Sequence, residues 1–404
     1  MANNLGAHLG ELFKSSRKKG EEGLPLLSVT LNDGLIVRDQ LDRRTETNLE
    51  SSEHLLVQSG DIAYNMMRVW QGALGRARIT GLVSPAYVVL RPTAKIDSLY
   101  AEYLFKTPRM IYLFWAYSYG LTKDRLRLYF NDFARIPVEI PDLKEQKEIA
   151  KILSTWDKAI TTTEQLLANS QQQKKALMQQ VLTGKKRLLG KNGVRFGVEW
   201  NDHYLTDLAQ VIVSPVDKKT IEGELPIELC NYTDVYYNNR ITRSLNFMKA
   251  TAKPSEIEKY TLQVNDVIIT KDSETPGDIA VPALVSEDLD GVVCGYHLAI
   301  IRPNKECLSG EYLSYLFSMP KTRYYFFTLA TGATRFGLSI GGINKAHFRL
   351  PPIEEQEKIA AVLSTADQEI STLQQKLDSL KKEKKALMQQ LLTGKRRVKF
   401  EEVA

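Results

Sequence analysis

Residues 174–185 read Lys174-Lys-Ala-Leu-Met-Gln-Gln-Val-Leu-Thr-Gly-Lys185, and residues 384–395 read Lys384-Lys-Ala-Leu-Met-Gln-Gln-Leu-Leu-Thr-Gly-Lys395. The offset is 210 residues, and it holds without a gap back to Gln146 and Gln356. A gapless match of this length is an internal duplication. Upstream of each repeat, apolar side chains recur at spacings of four and three. The first copy has Ile149, Leu153, Trp156, Ile160, Leu167 and Leu177; the second has Ile359, Leu363, Ile370, Leu373, Leu377 and Leu387. A sustained period of 3.5 residues predicts a coiled-coil helix in each copy. At 1.5 Å per residue each helix is roughly 60 Å long. Lys174 and Lys384 interrupt the same seam position, where a polar residue costs stability but fixes register.

The predicted partner of the first helix is the second; the rival reading packs each helix separately on its own domain. Asp142 and Glu145 form a capping-box pattern after Pro141, and Pro351-Pro352 mark the second start. Gly184 and Gly394 fall where a helix-ending glycine belongs. The cations that follow, Lys185 to Arg187 and Lys395 to Arg397, face the negative end of each helix dipole.

The chain has 404 residues, room for two or three domains. A 43% hydrophobic and 25% charged composition is that of an ordinary globular protein. Net charge is +6, compatible with nucleic acid without requiring it. Cys230, Cys294 and Cys307 lack zinc spacing and imply a reducing compartment. With no signal pattern at the start and no apolar run long enough to span a bilayer, a cytoplasmic protein without membrane contact is expected.

Around the helices the chain divides into a first domain (1–141), a first helix (142–184), a linker (185–199), a second domain (200–351), a second helix (352–394) and a tail (395–404). In the first domain strands are expected at 24–29, 35–37, 61–64, 86–90 and 134–140. A helix is expected at 99–105 with Pro108 as its stop, followed by an aromatic-rich stretch at 112–119. The second domain repeats this plan in diverged form. Leu205-Thr-Asp-Leu-Ala209 answers Leu9-Gly-Glu-Leu-Phe13, 266–269 answers 61–64, and 298–303 answers 88–92. Tyr315-Leu-Phe317 with Pro320 answers Tyr103-Leu-Phe105 with Pro108, and Gly332-Ala-Thr-Arg335 answers Gly120-Leu-Thr-Lys123. The fold class is α+β: two similar mixed domains joined by two long antiparallel coiled-coil helices. Their antiparallel course would place the domains at opposite ends in a circular, pseudo-two-fold arrangement.

No catalytic constellation emerges. A methyltransferase needs a Gly-rich cofactor loop and an Asn-Pro-Pro or Asp-Pro-Pro aromatic motif, and neither appears. Thr183-Gly-Lys185 reads as a helix end, since no phosphate-cradling glycines precede it. The histidines His8, His54, His203, His297 and His347 are scattered, so no metal site is expected. Pro141-Asp142, Glu145 and Lys147 resemble a nuclease signature only superficially, because the second copy lacks the Asp and Lys.

Loops mixing amide, cationic and aromatic groups are the candidates for binding. They supply Asn65, Arg68 and Gln71 near Met66, Met67 and Trp70; Lys123, Arg125 and Arg127; Lys218 and Lys219; Tyr236, Asn238 and Arg240; Lys271; and Thr334 and Arg335. Arg and Lys neutralise phosphates, while Arg, Asn and Gln read base edges with paired hydrogen bonds. The competing reading of each cluster is a solvated surface.

From about residue 9 to 399 the chain resembles the specificity subunit of type I restriction-modification systems. The resemblance rests on Val83-Ser-Pro-Ala-Tyr87 with Arg91-Pro92, the Gly120 to Lys123 turn, and Ile140-Pro141. It rests also on Glu145-Gln146, Glu355-Gln356 and both Leu-Thr-Gly-Lys helix ends. The first domain starts more abruptly than the second. The resemblance implies two target-recognition domains that read a bipartite, asymmetric site on double-stranded DNA, with helices that set the gap. It implies two methylation subunits, two restriction subunits, and S-adenosylmethionine, ATP and Mg2+ used by those partners, with no cofactor in this chain. Ile152, Leu166, Met178, Leu182, Val362, Met388 and Leu392, apolar but off the seam, are candidates for partner binding. The alternative is a non-catalytic coiled-coil adaptor without DNA readout, which leaves the two diverged domains with basic loops unexplained.

Overall fold

The computed structural model describes residues 5–41, 49–122, 125–190 and 193–398. The chain divides into two compact units, Met1–Gln165 with Gln375–Ala404, and Leu166–Gln374. Each unit therefore combines one globular domain, the first part of one long helix and the last part of the other.

The long helices run Leu143–Val181 and Ile353–Leu392. Asp142 Oδ1 accepts the Glu145 N–H at 2.9 Å, as an N-cap should. The expected return half of the capping box is not made, because the Glu145 side chain is used elsewhere. At the far ends Gly184 and Gly394 adopt φ of +71° and +70°. Lys186 N–H then reaches the Gln180 carbonyl, and Arg396 N–H the Gln390 carbonyl, both at 3.0 Å.

Inside each unit the helices are antiparallel. In the first, Glu145 pairs with Arg397, Asp157 with Lys384, and Glu164 with Lys381. In the second, Lys174 pairs with Asp367 and Arg187 with Glu355. Ile149, Leu153, Leu167, Ile359, Leu363 and Leu377 are buried, while Trp156, Ile160, Leu177, Ile370, Leu373 and Leu387 are half-buried. The seam is only partly a two-helix seam. Ile149 and Leu153 complete the core of the first domain, and Ile359 and Leu363 that of the second.

The first domain centres on an antiparallel sheet in the order Phe13–Ser16, Tyr87–Pro92, Ile62–Asn65, Leu74–Arg76. Ser98–Phe105 and Pro108–Ala116 are helical, and Leu5–His8 pairs with Pro137–Ile140. Phe13, Tyr64, Phe105, Phe114 and Phe133 form the aromatic centre of its core. The second domain has a five-stranded sheet in the order Ala209–Val213, Leu298–Pro303, Val267–Thr270, Pro282–Val285, Arg240–Ile241. A separate three-stranded sheet joins Met248–Ala252, Leu225–Cys230 and Val293–Cys294 over its own core.

The recurrent pairs of the sequence have matching tasks. Asp61, buried at the start of the central strand, meets Arg91 at 3.3 Å; Asp266 meets Arg302 at 2.8 Å. Gln146 accepts from Asp97 N–H and donates to the Lys95 and Pro141 carbonyls. Gln356 does the same with Ser309, Cys307 and Pro351.

The helix expected at 99–105 runs Ser98–Phe105 and ends before Pro108; Pro108, like Pro320, opens a further helix, where a missing N–H costs nothing. One expectation requires correction. Leu182 and Leu392 do not offer partner-binding surface: they are 4% and 6% exposed and lie in the domain cores. Ile152, Met178 and Met388 pack against those cores, Val362 is half-buried, and Leu166 is 49% exposed.

Candidate nucleic-acid interface

In the first domain the central strand ends at Asn65. Its Oδ1 accepts the Met67 N–H at 2.9 Å and so folds a tight turn. A 3-10 turn, Val69–Gln71, follows and closes on Gly72 at φ +97°. Val69 is fully buried, which sends Arg68 and Gln71 outward into solvent. Trp70 is held by a 2.8 Å bond from Nε1 to the Met67 carbonyl. A second loop is closed by Tyr119 and Arg127, which exchange backbone bonds of 2.9 and 2.8 Å. A Cβ at Gly120 would lie 2.5 Å from the Arg125 carbonyl oxygen, so only glycine lets the loop return there. Arg125 and Arg127 are exposed; Lys123 lies outside the described residues. Leu128 N–H donates to the Met66 carbonyl at 3.0 Å, and Tyr64 Oη donates to the Leu128 carbonyl. These bonds bring Asn65, Arg68 and Gln71 together with Arg125 and Arg127.

The second domain builds the same pair of loops from other residues. Leu338 N–H donates to the Lys271 carbonyl at 3.0 Å, and Asp272–Ser273 pairs with Phe336–Gly337. Thr331 and Gly337 exchange backbone bonds around Gly332, whose φ is +148°. Thr334 and Arg335 are exposed at the tip. Lys271 Nζ lies 2.7 Å from Asp272 and 5.6 Å from the centre of the Tyr296 ring. His297 Nδ1 stands 3.3 Å from the same carboxylate. Tyr232 and Tyr236 stack with ring centres 5.4 Å apart, and their hydroxyls donate to Ser273 and Asp278. The hydrogen bond to Asp278 raises the Tyr236 pKa and burial raises that of Tyr232, so both stay protonated donors. Lys271, Thr334 and Arg335 are thus gathered on one pair of loops, with Tyr236 on the short helix beside them; Lys271 is only 15% exposed and is engaged by Asp272.

The remaining candidates are not gathered there. Lys218 and Lys219 are exposed, with Lys219 paired to Asp217 and its carbonyl bound by Thr251 N–H. Asn238 donates to the Asp234 carbonyl and ends a short helix. Arg240 is corrected outright: it is half-buried, paired with Glu311 and 3.0 Å from Ser364 Oγ. It is a strut between the second domain and the second long helix, since Glu311 lies on a domain helix, Gly310–Phe317, and Ser364 on the long one. Sequence reading missed Tyr232 and the adjacent Tyr296 and His297, because the two places lie more than sixty residues apart in the chain and carry no spacing signal.

A family model described as the type I restriction modification DNA specificity domain matches the chain twice, over residues 7–169 and 197–382. The chain belongs to that family. Each specificity-domain match takes in one globular domain and part of the long helix that follows it. A putative type I restriction enzyme MjaX specificity subunit from Methanocaldococcus jannaschii is 26% identical over 329 residues, covering 77% of this chain and 71% of the relative. The type I restriction enzyme MjaVIII specificity subunit from the same organism is 22% identical over 368 residues, covering 86% and 82%. The crystal structure of an HsdS subunit from Thermoanaerobacter tengcongensis superposes with a TM-score of 0.52 at 16% identity over 97% of both chains, a likeness of fold.

Proposed function

We propose that this chain is the DNA specificity subunit of a type I restriction-modification enzyme, and that each domain reads one half of a bipartite, asymmetric site on duplex DNA. The observation that carries this is the repeated loop pair. One scaffold presents Arg68, Gln71, Arg125 and Arg127 in the first domain and Tyr236, Thr334 and Arg335 in the second. Shared architecture with different side chains is what two different half-sites require. Arginine and amide side chains suit base edges, and the cations suit phosphates.

In this reading the chain supplies specificity and no catalysis. Two methylation subunits bind it and transfer methyl groups from S-adenosylmethionine to adenine N6, and two restriction subunits use ATP and Mg2+. The long helices set the distance between half-sites, and exposed Leu166 is a candidate contact for a partner subunit. No helix among the described residues is long and apolar enough to cross a membrane.

The test is to express the chain with its methylation subunit in a host lacking adenine methylation and to sequence the DNA for N6-methyladenine. One bipartite motif, modified on each strand, is expected. A stable complex that methylates nothing would refute DNA reading by these domains.

A further inference from the structure

In each domain one helix leads directly into the second reading loop: Pro108–Ala116 before 119–127, and Pro320–Leu329 before 331–337. Each also supports the first loop. A Cβ at Gly72 would touch Ile111, and Arg323 donates to the carbonyls of Gly277 and Ile279. The buried sides match: Met110 and Phe114 in one, Thr322 and Phe326 in the other.

The outward sides match as well. Arg109, Tyr112 and Trp115 follow one another three residues apart on the first helix; Lys321, Tyr324 and Phe327 do so on the second. The aromatic residues are 61%, 45%, 68% and 45% exposed. They pair along the helix with ring centres 5.7 and 6.2 Å apart. No Asp or Glu occurs in residues 103–123 or 312–353, although 48 of the 404 residues are acidic. Both faces are thus cationic and aromatic, and both adjoin the loops proposed to read DNA.

A reading surface should differ between domains, because the half-sites differ. A surface kept the same should touch what the half-sites share. We infer that the Arg109, Tyr112, Trp115 face and the Lys321, Tyr324, Phe327 face bind the sugar–phosphate backbone of duplex DNA without regard to base sequence. The cation neutralises a phosphate, the tyrosine hydroxyl donates to a phosphate oxygen, and the second ring packs on deoxyribose. The stretches that carry these faces contribute cations and no carboxylate of their own, which suits a polyanion. This inference rests on the proposed DNA reading.

The test uses the full chain in complex with its methylation subunit. Arg109→Ala with Tyr112→Ala, and Lys321→Ala with Tyr324→Ala, are compared with the parent on two labelled duplexes. One carries the motif recovered by methylation sequencing and the other a scrambled sequence. Affinity for both should fall about tenfold per altered domain. The slope of log affinity against log salt should fall by about one per cation removed, and the methylated motif should stay the same. Unchanged affinity would overturn the inference. So would a loss confined to the motif duplex, which would make these residues base readers. Loss of co-purifying methylation subunit would assign the face to that protein instead. Failure of the parent complex to bind its motif duplex would refute the underlying reading rather than this step.

Discussion

Lys174 and Lys384, read from sequence as polar breaks in an apolar seam, are not left uncompensated. Lys384 pairs with Asp157, which also accepts the Tyr103 hydroxyl at 2.5 Å, and the ammonium lies 5.4 Å from that ring centre. Lys174, Asp367 and Tyr315 repeat the set. Burial first, and then the hydrogen bond to the carboxylate, raises each tyrosine pKa, so the hydroxyl remains a donor. The triad ties both long helices to one tyrosine of the domain, and an apolar seam residue could not do that. Asp157 is 45% exposed, so solvent screens the pair and its value is modest. Tyr103→Phe should lower stability by about 1 kcal/mol, read as a shift in urea midpoint. In a double-mutant cycle with Lys384→Met the two changes should couple by roughly 0.5 kcal/mol or more. Strict additivity would mean that the three groups do not act as one unit.

At the scale of the elements, the ends of the long helices explain the Glu-Gln dipeptide that opens each. Glu355 is fully buried and holds Arg187 through two bonds of 2.6 and 2.7 Å, with Trp200 Nε1 at 3.3 Å. Glu145 holds Arg397 in the same way and also accepts the Val398 N–H. The glutamine next to each binds the domain. One dipeptide therefore clamps the start of one helix, the end of the other and the globular domain. Arg187→Ala should cost about 3 kcal/mol, because it strands a buried carboxylate while the arginine itself is only partly exposed. Chemical denaturation measures this, and a cost under about 0.5 kcal/mol would show that Trp200 alone satisfies Glu355. The helices were legible in the sequence because periodicity and glycine ends are local signals. The destinations of Glu145 and Arg187 were not, because their partners lie 252 and 168 residues away. Capping and dipole effects accounted for both residues without any partner. The loop candidates divided on the same ground. Arg68 and Arg335 sit on turns shaped by nearby glycines. Arg240 reads as an equally polar loop residue, yet its fate is decided by a helix more than a hundred residues later.

At the scale of the whole molecule, the duplication separates two demands. The helices keep their clamping ends, 174–185 and 384–395, nearly identical because each copy must clamp to the other. The domains keep their skeleton, including buried pairs such as Asp61 with Arg91 and Asp266 with Arg302, and vary the side chains on the reading loops. If the helices set the distance between half-sites, their length is the variable that changes the site without changing either half. Inserting one heptad after Gln165 and another after Gln374 preserves the 3.5-residue seam. It also preserves the antiparallel pairing, since both strands of the pair lengthen together. Seven residues add about 10 Å, which corresponds to roughly three base pairs of duplex at 3.4 Å each. Over three base pairs the duplex turns by about 100°, so the lengthened protein should bind its new site more weakly than the parent binds its own. Methylation sequencing should recover the same two half-site sequences with about three more unspecified base pairs between them. An active variant with an unchanged gap would show that the spacing is set by the partner subunits rather than by these helices.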